Sequence, residues 1–332
     1  VTATAVPSDL RARLAVSLVF VILGCTQGSW MARIPATRDQ VGLDTSALPA
    51  LVLGLAVWGL SATFLNTPVN ALAVAVERAH GSPLMSRFHA SFSCGVLAGG
   101  AIGTLAAAGG VPPGVQLAAS STVLGVLLLI LGGRLPDEEV AAERHRRSLR
   151  HRFTPQLVLL AGVAFLASFV EGAASQWSSV FTADYLDEGA ALGAATYTCF
   201  TVAILVGRLV GDRFVARWGR RVFVQVSLLT IVLGVGVGLV HPGLPYALAG
   251  FTVVGLGLAC VLPAVFAPAG RQPEVPPGEA VSVITIGQWP GFLLAGPVVG
   301  LLAGATSLRL ALASLAVAGL GAAVLTSRIS MA

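Results

Sequence analysis

Apolar residues in this chain come in long blocks, with short polar clusters between them. A helix needs about 20 predominantly apolar residues to cross the hydrocarbon core of a bilayer. Ten blocks reach that length, at roughly 13–32, 47–76, 86–108, 112–133, 156–181, 190–210, 222–240, 245–266, 279–303 and 308–327. The pattern predicts an all-α integral membrane protein with about ten transmembrane helices. The clusters between the blocks are rich in arginine. With the N-terminus inside, 17 arginines, among them Arg11, Arg78, Arg134, Arg208, Arg213, Arg217 and Arg328, fall on the cytoplasmic side, and Arg33, Arg38 and Arg309 on the other. By the positive-inside rule, both termini are expected in the cytoplasm.

The longest polar stretch, residues 134–154 (RLPDEEVAAERHRRSLRHRFT), divides four helices from six. The expected organisation is therefore an N-terminal half over 1–133, a basic linker over 134–154 and a C-terminal half over 155–332. The linker is expected to lie as a short amphipathic helix along the inner membrane surface, with His145 and His151 solvated. Near the start, Arg11 and Arg13 followed by AVSLVFVILG and Cys25 look like a secretory signal. No A-x-A site follows and nine further apolar runs do, so the first run is expected to be a retained helix.

Composition narrows the class further. Hydrophobic residues make up 55% and charged residues 11%, with a mean hydropathy of +0.86. A soluble domain carries about 25% charged residues. The 39 glycines fit a membrane bundle, because small residues let helices approach closely. The net charge of +5 sits in short loops between apolar runs, so it reads as a topology signal and not as a nucleic-acid footprint. Cys25, Cys94, Cys199 and Cys260 are scattered singly through the runs and lack metal-ligand spacing, so neither a metal nor a disulfide framework is expected. No zinc-protease, nucleophile-elbow or phosphate-loop motif is present, and no cofactor or catalytic residue is expected.

The most patterned stretch is Gly207 to Arg221, GRLVGDRFVARWGRR, between the sixth and seventh runs. It reads as a tight basic connection, with Asp212 free to pair with a guanidinium or to face the positive end of a neighbouring helix. Charge alone gives equal weight to a solvated turn that only sets topology. The order G-x-x-x-G-D-R, then W-G-R-R, resembles the loop between the second and third helices of each half in major facilitator superfamily transporters. That resemblance implies a facilitator-type bundle in which Gly207, Gly211, Asp212, Arg213, Gly219 and Arg220 form a gating loop, a latch that closes in one state of transport.

A fainter signal is an internal repeat. Trp30 and Trp177 stand near the outer ends of the first and fifth runs, and glycines follow at equal distance, Gly42 and Gly189. Halves related by an axis along the membrane normal are expected to repeat in this way. The same offset places a second latch near Phe64, where the chain reads SATFLNTPVN inside an apolar run. That latch is missing.

Three passages bear on that gap: WMARIPATRDQVGLDTSAL (30–48), LNTPVNALAVAVERAHGSPLMSRFHASFSCGVLAG (65–99) and EGAASQWSSVFTADYL (171–186). They resemble a bacterial subgroup of uncharacterised inner-membrane facilitators that includes a rhizopine-associated membrane protein and is distantly related to sugar–proton symporters. The resemblance implies a multi-pass protein of the bacterial inner membrane. It also implies that helices two and three of the usual twelve are absent, with a junction near Leu48 or Pro49.

Polar side chains within the runs are the candidate solute contacts, since such groups are costly in lipid and face a bundle interior. Glu171 is the one acidic residue well inside a run. It reads as a proton carrier or solute ligand, or else as a carboxyl hydrogen-bonded to a neighbouring helix. Asn66 and Asn70 share a helix face, and Pro68 between them cannot donate to the Phe64 carbonyl. Helix–helix hydrogen bonding is an equal reading for this pair. His89, with Ser93 one turn on, is a proton relay or a structural residue. Gly95, Gly99 and Gly103 read as a close-packing stripe. Gln288, Trp289, Pro290 and Gly291 are expected to interrupt the ninth run at mid-membrane, where transporters of several folds bind ligand. Gln27 and Gln176, with Trp177, complete the candidate set.

These readings converge on transport of a small polar solute by alternating access within the lipid bilayer. A sugar-like solute and coupling to protons remain open at this level. The alternative is a truncated, non-transporting membrane protein that serves as an assembly or sensing partner.

Overall fold

The computed structural model describes residues 10–41, 48–132, 152–272 and 275–329. The helices are α1 (Leu10–Val41), α2 (Leu48–His80), α3 (Met85–Ala108), α4 (Pro113–Gly132), α5 (Pro155–Val180), α6 (Ala190–Trp218), α7 (Arg220–Val240), α8 (Leu244–Leu258), α9 (Val261–Ala269), α10 (Pro277–Ala305), α11 (Leu308–Leu312) and α12 (Ser314–Ser327). No strand occurs among the described residues. Nine spans in the described residues are long and apolar enough to cross a membrane, α8–α9 and α11–α12 each forming one of them. The 33-residue α2 is a tenth long helix. The predicted linker helix falls largely on residues 133–151, outside the described residues, as do Gly42 and the segment just before the Leu48 junction.

Local chemistry accounts for the helix ends. Thr154 caps α5 by accepting from the Leu157 amide at 3.2 Å, and Pro155 takes the first helical position, where its missing amide hydrogen costs nothing. Helix α6 runs on to Trp218, so most of the expected loop from Gly207 is helical. The connection to α7 is the single residue Gly219, at φ 78° and ψ 150°, a conformation open to glycine and strained for other residues.

The chain forms two compact units, one of residues 1–81 and 87–143, the other of 82–86 and 144–332. In the first, α1 and α3 lie almost backbone to backbone. A Cβ on Gly95 or Gly99 would overlap the carbonyl oxygens of Val21 and Cys25, so the α3 glycine stripe is a packing seam. His89 is buried with its ring 5.3 Å from that of Phe20, as a packing residue would be. Buried Arg33 donates to the Val111 carbonyl in the α3–α4 turn. Gln116 ties α4 to α1, donating to Ser29 Oγ at 2.7 Å and to Ser120 Oγ at 2.9 Å. Among the described residues, Gln116 is the one residue of α4 that is buried.

The second unit repeats the glycine seam between α5 and α10. A Cβ on Gly287 or Gly291 would overlap the carbonyls of Ala161 and Phe165. That seam runs through the segment expected to break. Instead α10 is continuous from Pro277 to Ala305, with Pro290 and Pro297 inside it. Pro290 removes one backbone bond, but the close contact of α10 with α5 on either side of it holds the helix together. The interruption falls elsewhere, at Ala259–Cys260 between α8 and α9, in a run expected to be one helix.

Candidate functional site

Along α5, Ser168, Glu171, Ser175 and Ser178 recur at intervals of three and four residues and so share one face. Ser168 and Ser178 are buried, and neither hydroxyl has a hydrogen-bond partner among the described residues. Glu171 lies about 24 Å along the helix from Pro155, with its side chain 22% exposed. Opposite it, α6 supplies Arg208, whose side chain is only 6% exposed and whose Nη2 is 3.5 Å from Glu171 Oε1. This is a loose ion pair, at the far limit of hydrogen-bonding distance.

Arg208 is held more firmly from its other side. Its Nε donates to the carbonyl of Ala259 at 3.1 Å. In a regular helix that carbonyl would receive the amide of residue 263, but residue 263 is proline and has no hydrogen to give. The break between α8 and α9 thus presents a backbone acceptor, and a guanidinium takes it. One turn on, the same arrangement recurs: Pro268 leaves the Ala264 carbonyl without its helical donor, and Arg220 Nη1 reaches it at 3.5 Å. At the break, the Cys260 thiol donates to the Gly207 carbonyl at 3.4 Å.

The other motif residues line the same stretch of α6. A Cβ on Gly211 would overlap Cys260 Sγ, so glycine there lets α6 close on the break. Asp212, one turn beyond Arg208, is buried, and its Oδ1 accepts from the Ser86 amide at 3.1 Å. Ser86 stands in the first turn of α3, within the segment 82–86 that belongs to this unit. A carboxylate there meets both an amide lacking a helical acceptor and the positive end of a helix. Arg213 is exposed, and Gly219 makes the turn.

The remaining candidates do not all join this centre. Gln176 lies about 140° around α5 from Glu171 at 100° per residue. It is exposed and lies against Gly296 of α10, while Trp177 packs on Gly300. Gln288 is half-buried in α10, and its Oε1 has no partner among the described residues. In the first unit, Gln27 is half-buried on α1. The Asn70 amide donates to the Asn66 carbonyl at 2.9 Å and also contacts Asn66 Oδ1, leaving Asn70 Oδ1 buried without a partner among the described residues. The sequence reading missed Arg208, which counting arginines as loop residues assigned to topology. Its signal was the continuous helical pattern on either side, together with prolines 263 and 268 opposite.

Residues 9–274 match the model of the major facilitator superfamily. The chain belongs to that superfamily. Among curated relatives, this facilitator is 30% identical over 294 residues to an uncharacterised transporter, y4wD, of Sinorhizobium fredii, covering 87% of this chain and 77% of the relative. It is 26% identical to an uncharacterised facilitator-type transporter of Yersinia pestis, covering 92% and 93% of the two chains. That alignment extends over 364 positions, more than the 332 residues here, so the Yersinia protein carries internal residues without a counterpart in this facilitator. It is also 26% identical to the membrane protein MosC of Rhizobium meliloti, covering 78% of this chain and 63% of MosC.

Solved structures share the fold. The Escherichia coli fucose:proton symporter superposes with a TM-score of 0.66 at 13% identity, covering 98% of this facilitator and 87% of the symporter. A bacterial homologue of the iron transporter ferroportin, in its outward-facing state, gives 0.61 at 15% identity, covering 97% and 89%. This is a multi-pass, all-α membrane protein of a transporter family.

Proposed function

We propose that this facilitator moves a small polar solute across the bacterial inner membrane by alternating access, and that Glu171 and Arg208 carry the chemistry. The observation behind the proposal is the loose ion pair itself. A fixed cation inside a membrane helix is costly, and Arg208 is anchored through Nε to a backbone carbonyl while its outer face meets Glu171 at 3.5 Å. The carboxylate can therefore leave the guanidinium without Arg208 losing its place. A solute hydroxyl would accept from the guanidinium and donate to the carboxylate, with the hydroxyls of Ser168 and Ser178 on the same helix face. Gln288, Gln176, Gln27, Asn66 and Asn70 stand as further candidate contacts on their own helices.

Proton coupling follows from the same pair. A proton taken up by Glu171 cancels its attraction to Arg208 and changes what the solute meets, so solute and proton would bias one two-state motion. The shared fold of a fucose:proton symporter supports a sugar-like solute and a proton gradient as the finer form of this reading. Asp212, on the Ser86 amide, would serve as the latch. The arginine distribution supports a cytoplasmic Gly219 and cytoplasmic termini; reporter fusions at Arg217 and Asp187 should read cytoplasmic and external respectively, and the reverse would overturn the orientation.

One observation favours a second reading, a truncated protein that does not transport. Gln116 is the one buried residue of α4, whereas the shorter α12 buries Leu315, Ala318, Gly319, Ala322 and Thr326. The two readings part in proteoliposomes under a pH gradient. Transport requires that at least one of a broad panel of radiolabelled sugars and polyols accumulate; no binding and no movement across the panel would favour the truncated protein.

A further inference from the structure

Helices α6 and α7 leave Gly219 together but diverge, each packing on α8 far more than on the other. Between them lies an open groove of about 190 Å³, with Gly207, Gly211, Phe214, Trp218, Phe223 and Leu256 among its lining. Cavities that enclose a whole small ligand run to about 300–1,000 Å³, so this one suits part of a larger molecule. The occupant it suits is apolar. The Thr230 hydroxyl within it is spent on the Val226 carbonyl at 2.8 Å, and the Cys260 thiol on Gly207. Its mouth is aromatic: the Phe214 and Trp218 rings are 5.0 Å apart, and Phe223 lies 6.4 Å from each.

Length and charge identify the occupant. From Gly207 to Trp218 the groove follows about 16 Å of helix, close to half of the roughly 30 Å hydrocarbon thickness. A tryptophan at the Gly219 end fits the headgroup level. Around that end stand Arg213, Arg217 and Arg221, all exposed, Arg221 also donating from Nη2 to the Ser327 carbonyl at 2.6 Å. Asp212 is the one acid between residues 205 and 230, and it is buried on the Ser86 amide. We propose that this groove is a binding site for an anionic phospholipid, one acyl chain lying between α6 and α7 against α8 and the phosphate on Arg217 and Arg221. Arginine suits the phosphate because its planar fork can donate two hydrogen bonds at once, and basic sites between membrane helices bind such headgroups. The site borders the Gly207–Arg220 motif, so its lipid would bear on the motion of that motif.

Native mass spectrometry of the full chain tests this, with phosphatidylglycerol and phosphatidylcholine of identical acyl chains as the probes. The wild type should retain one phosphatidylglycerol in preference to phosphatidylcholine. Replacing Arg217→Gln and Arg221→Gln together should cut that preference by about fivefold per arginine, from roughly 1 kcal/mol each. Val226→Trp, which adds bulk into the groove, should reduce retention of both lipids. Arg217→Gln alone, which spares the bond from Arg221 to the Ser327 carbonyl, should still lose about fivefold, and that result stands even if Val226→Trp folds poorly. Equal retention of the two lipids by the wild type would overturn the proposal. So would a dimer that Val226→Trp dissociates while lipid retention stays unchanged, since the groove would then hold a second copy of the chain.

Discussion

Arg208 donates its Nε hydrogen to the carbonyl of Ala259, the carbonyl that Pro263 leaves without a helical donor. The pairing converts a helix break into an anchor for a cation, and it requires a side chain with donors in two directions. Lysine has the charge but only a single ammonium, which cannot hold the carbonyl and still present a planar face to Glu171. Arg208→Lys should therefore fold and insert but lose most transport, whereas Arg208→Leu, which leaves Glu171 without its cation, should also lower the unfolding temperature in detergent. Near-normal transport by Arg208→Lys would show that charge alone suffices.

The α5–α10 seam predicts a contrast between two glycines of one helix. A Cβ on Gly291 would overlap the Phe165 carbonyl, so the helices must separate, while one on Gly278 meets nothing within 4 Å. Gly291→Ala should destabilise the protein by about 1–3 kcal/mol, the usual cost of overpacking. Gly278→Ala should be neutral or slightly stabilising, because alanine is the better helix former. Thermal unfolding of the two variants side by side checks the sign as well as the size.

Gly219 is strained for any other residue by its backbone alone, since no atom lies within 4 Å of where its Cβ would be. At φ 78° and ψ 150°, Gly219→Ala should cost about 1–3 kcal/mol. Asparagine should not rescue it, because the conformation is outside the left-handed helical region that asparagine tolerates. An unchanged unfolding temperature for both variants would mean that the turn rearranges freely.

For the latch, Asp212→Asn keeps an acceptor for the Ser86 amide and removes the charge that favours the start of α3. The variant should shift the balance between inward- and outward-open states, measured as altered labelling of cysteines introduced at the two faces of a cysteine-free protein. Labelling that matches the parent, at normal expression, would leave the motif a purely topological role.

Much of this architecture was legible in the sequence, for a physical reason. Hydrophobicity marks the length of chain that must sit in lipid, and, among the described residues, all ten apolar runs fall on helices. The α3 stripe at Gly95 and Gly99 was legible because small residues at helical spacing have few other uses in a membrane. The length of α6 was not: a helix that continues beyond the apolar run carries no hydrophobic signature, so residues 211–218 read as loop. The same blind spot hid Arg208, counted as a loop charge although it is buried inside the bundle. Proline misled in the opposite direction. Pro290 promised a break that the glycine seam suppresses, while Pro263 produces one because Arg208 supplies a donor to the freed Ala259 carbonyl. Asn66 and Asn70 share one face as expected, yet the Asn70 amide is spent on Asn66.

The measurement closest to the central claim is uptake by proteoliposomes bearing Glu171→Gln. The substitution keeps the shape and an acceptor oxygen for Arg208 but cannot carry a proton. With any solute that the wild type accumulates, Glu171→Gln should still exchange solute in counterflow and no longer concentrate it on a pH gradient. Accumulation by the variant at wild-type levels on the same gradient would contradict the assignment of Glu171 as the coupling residue.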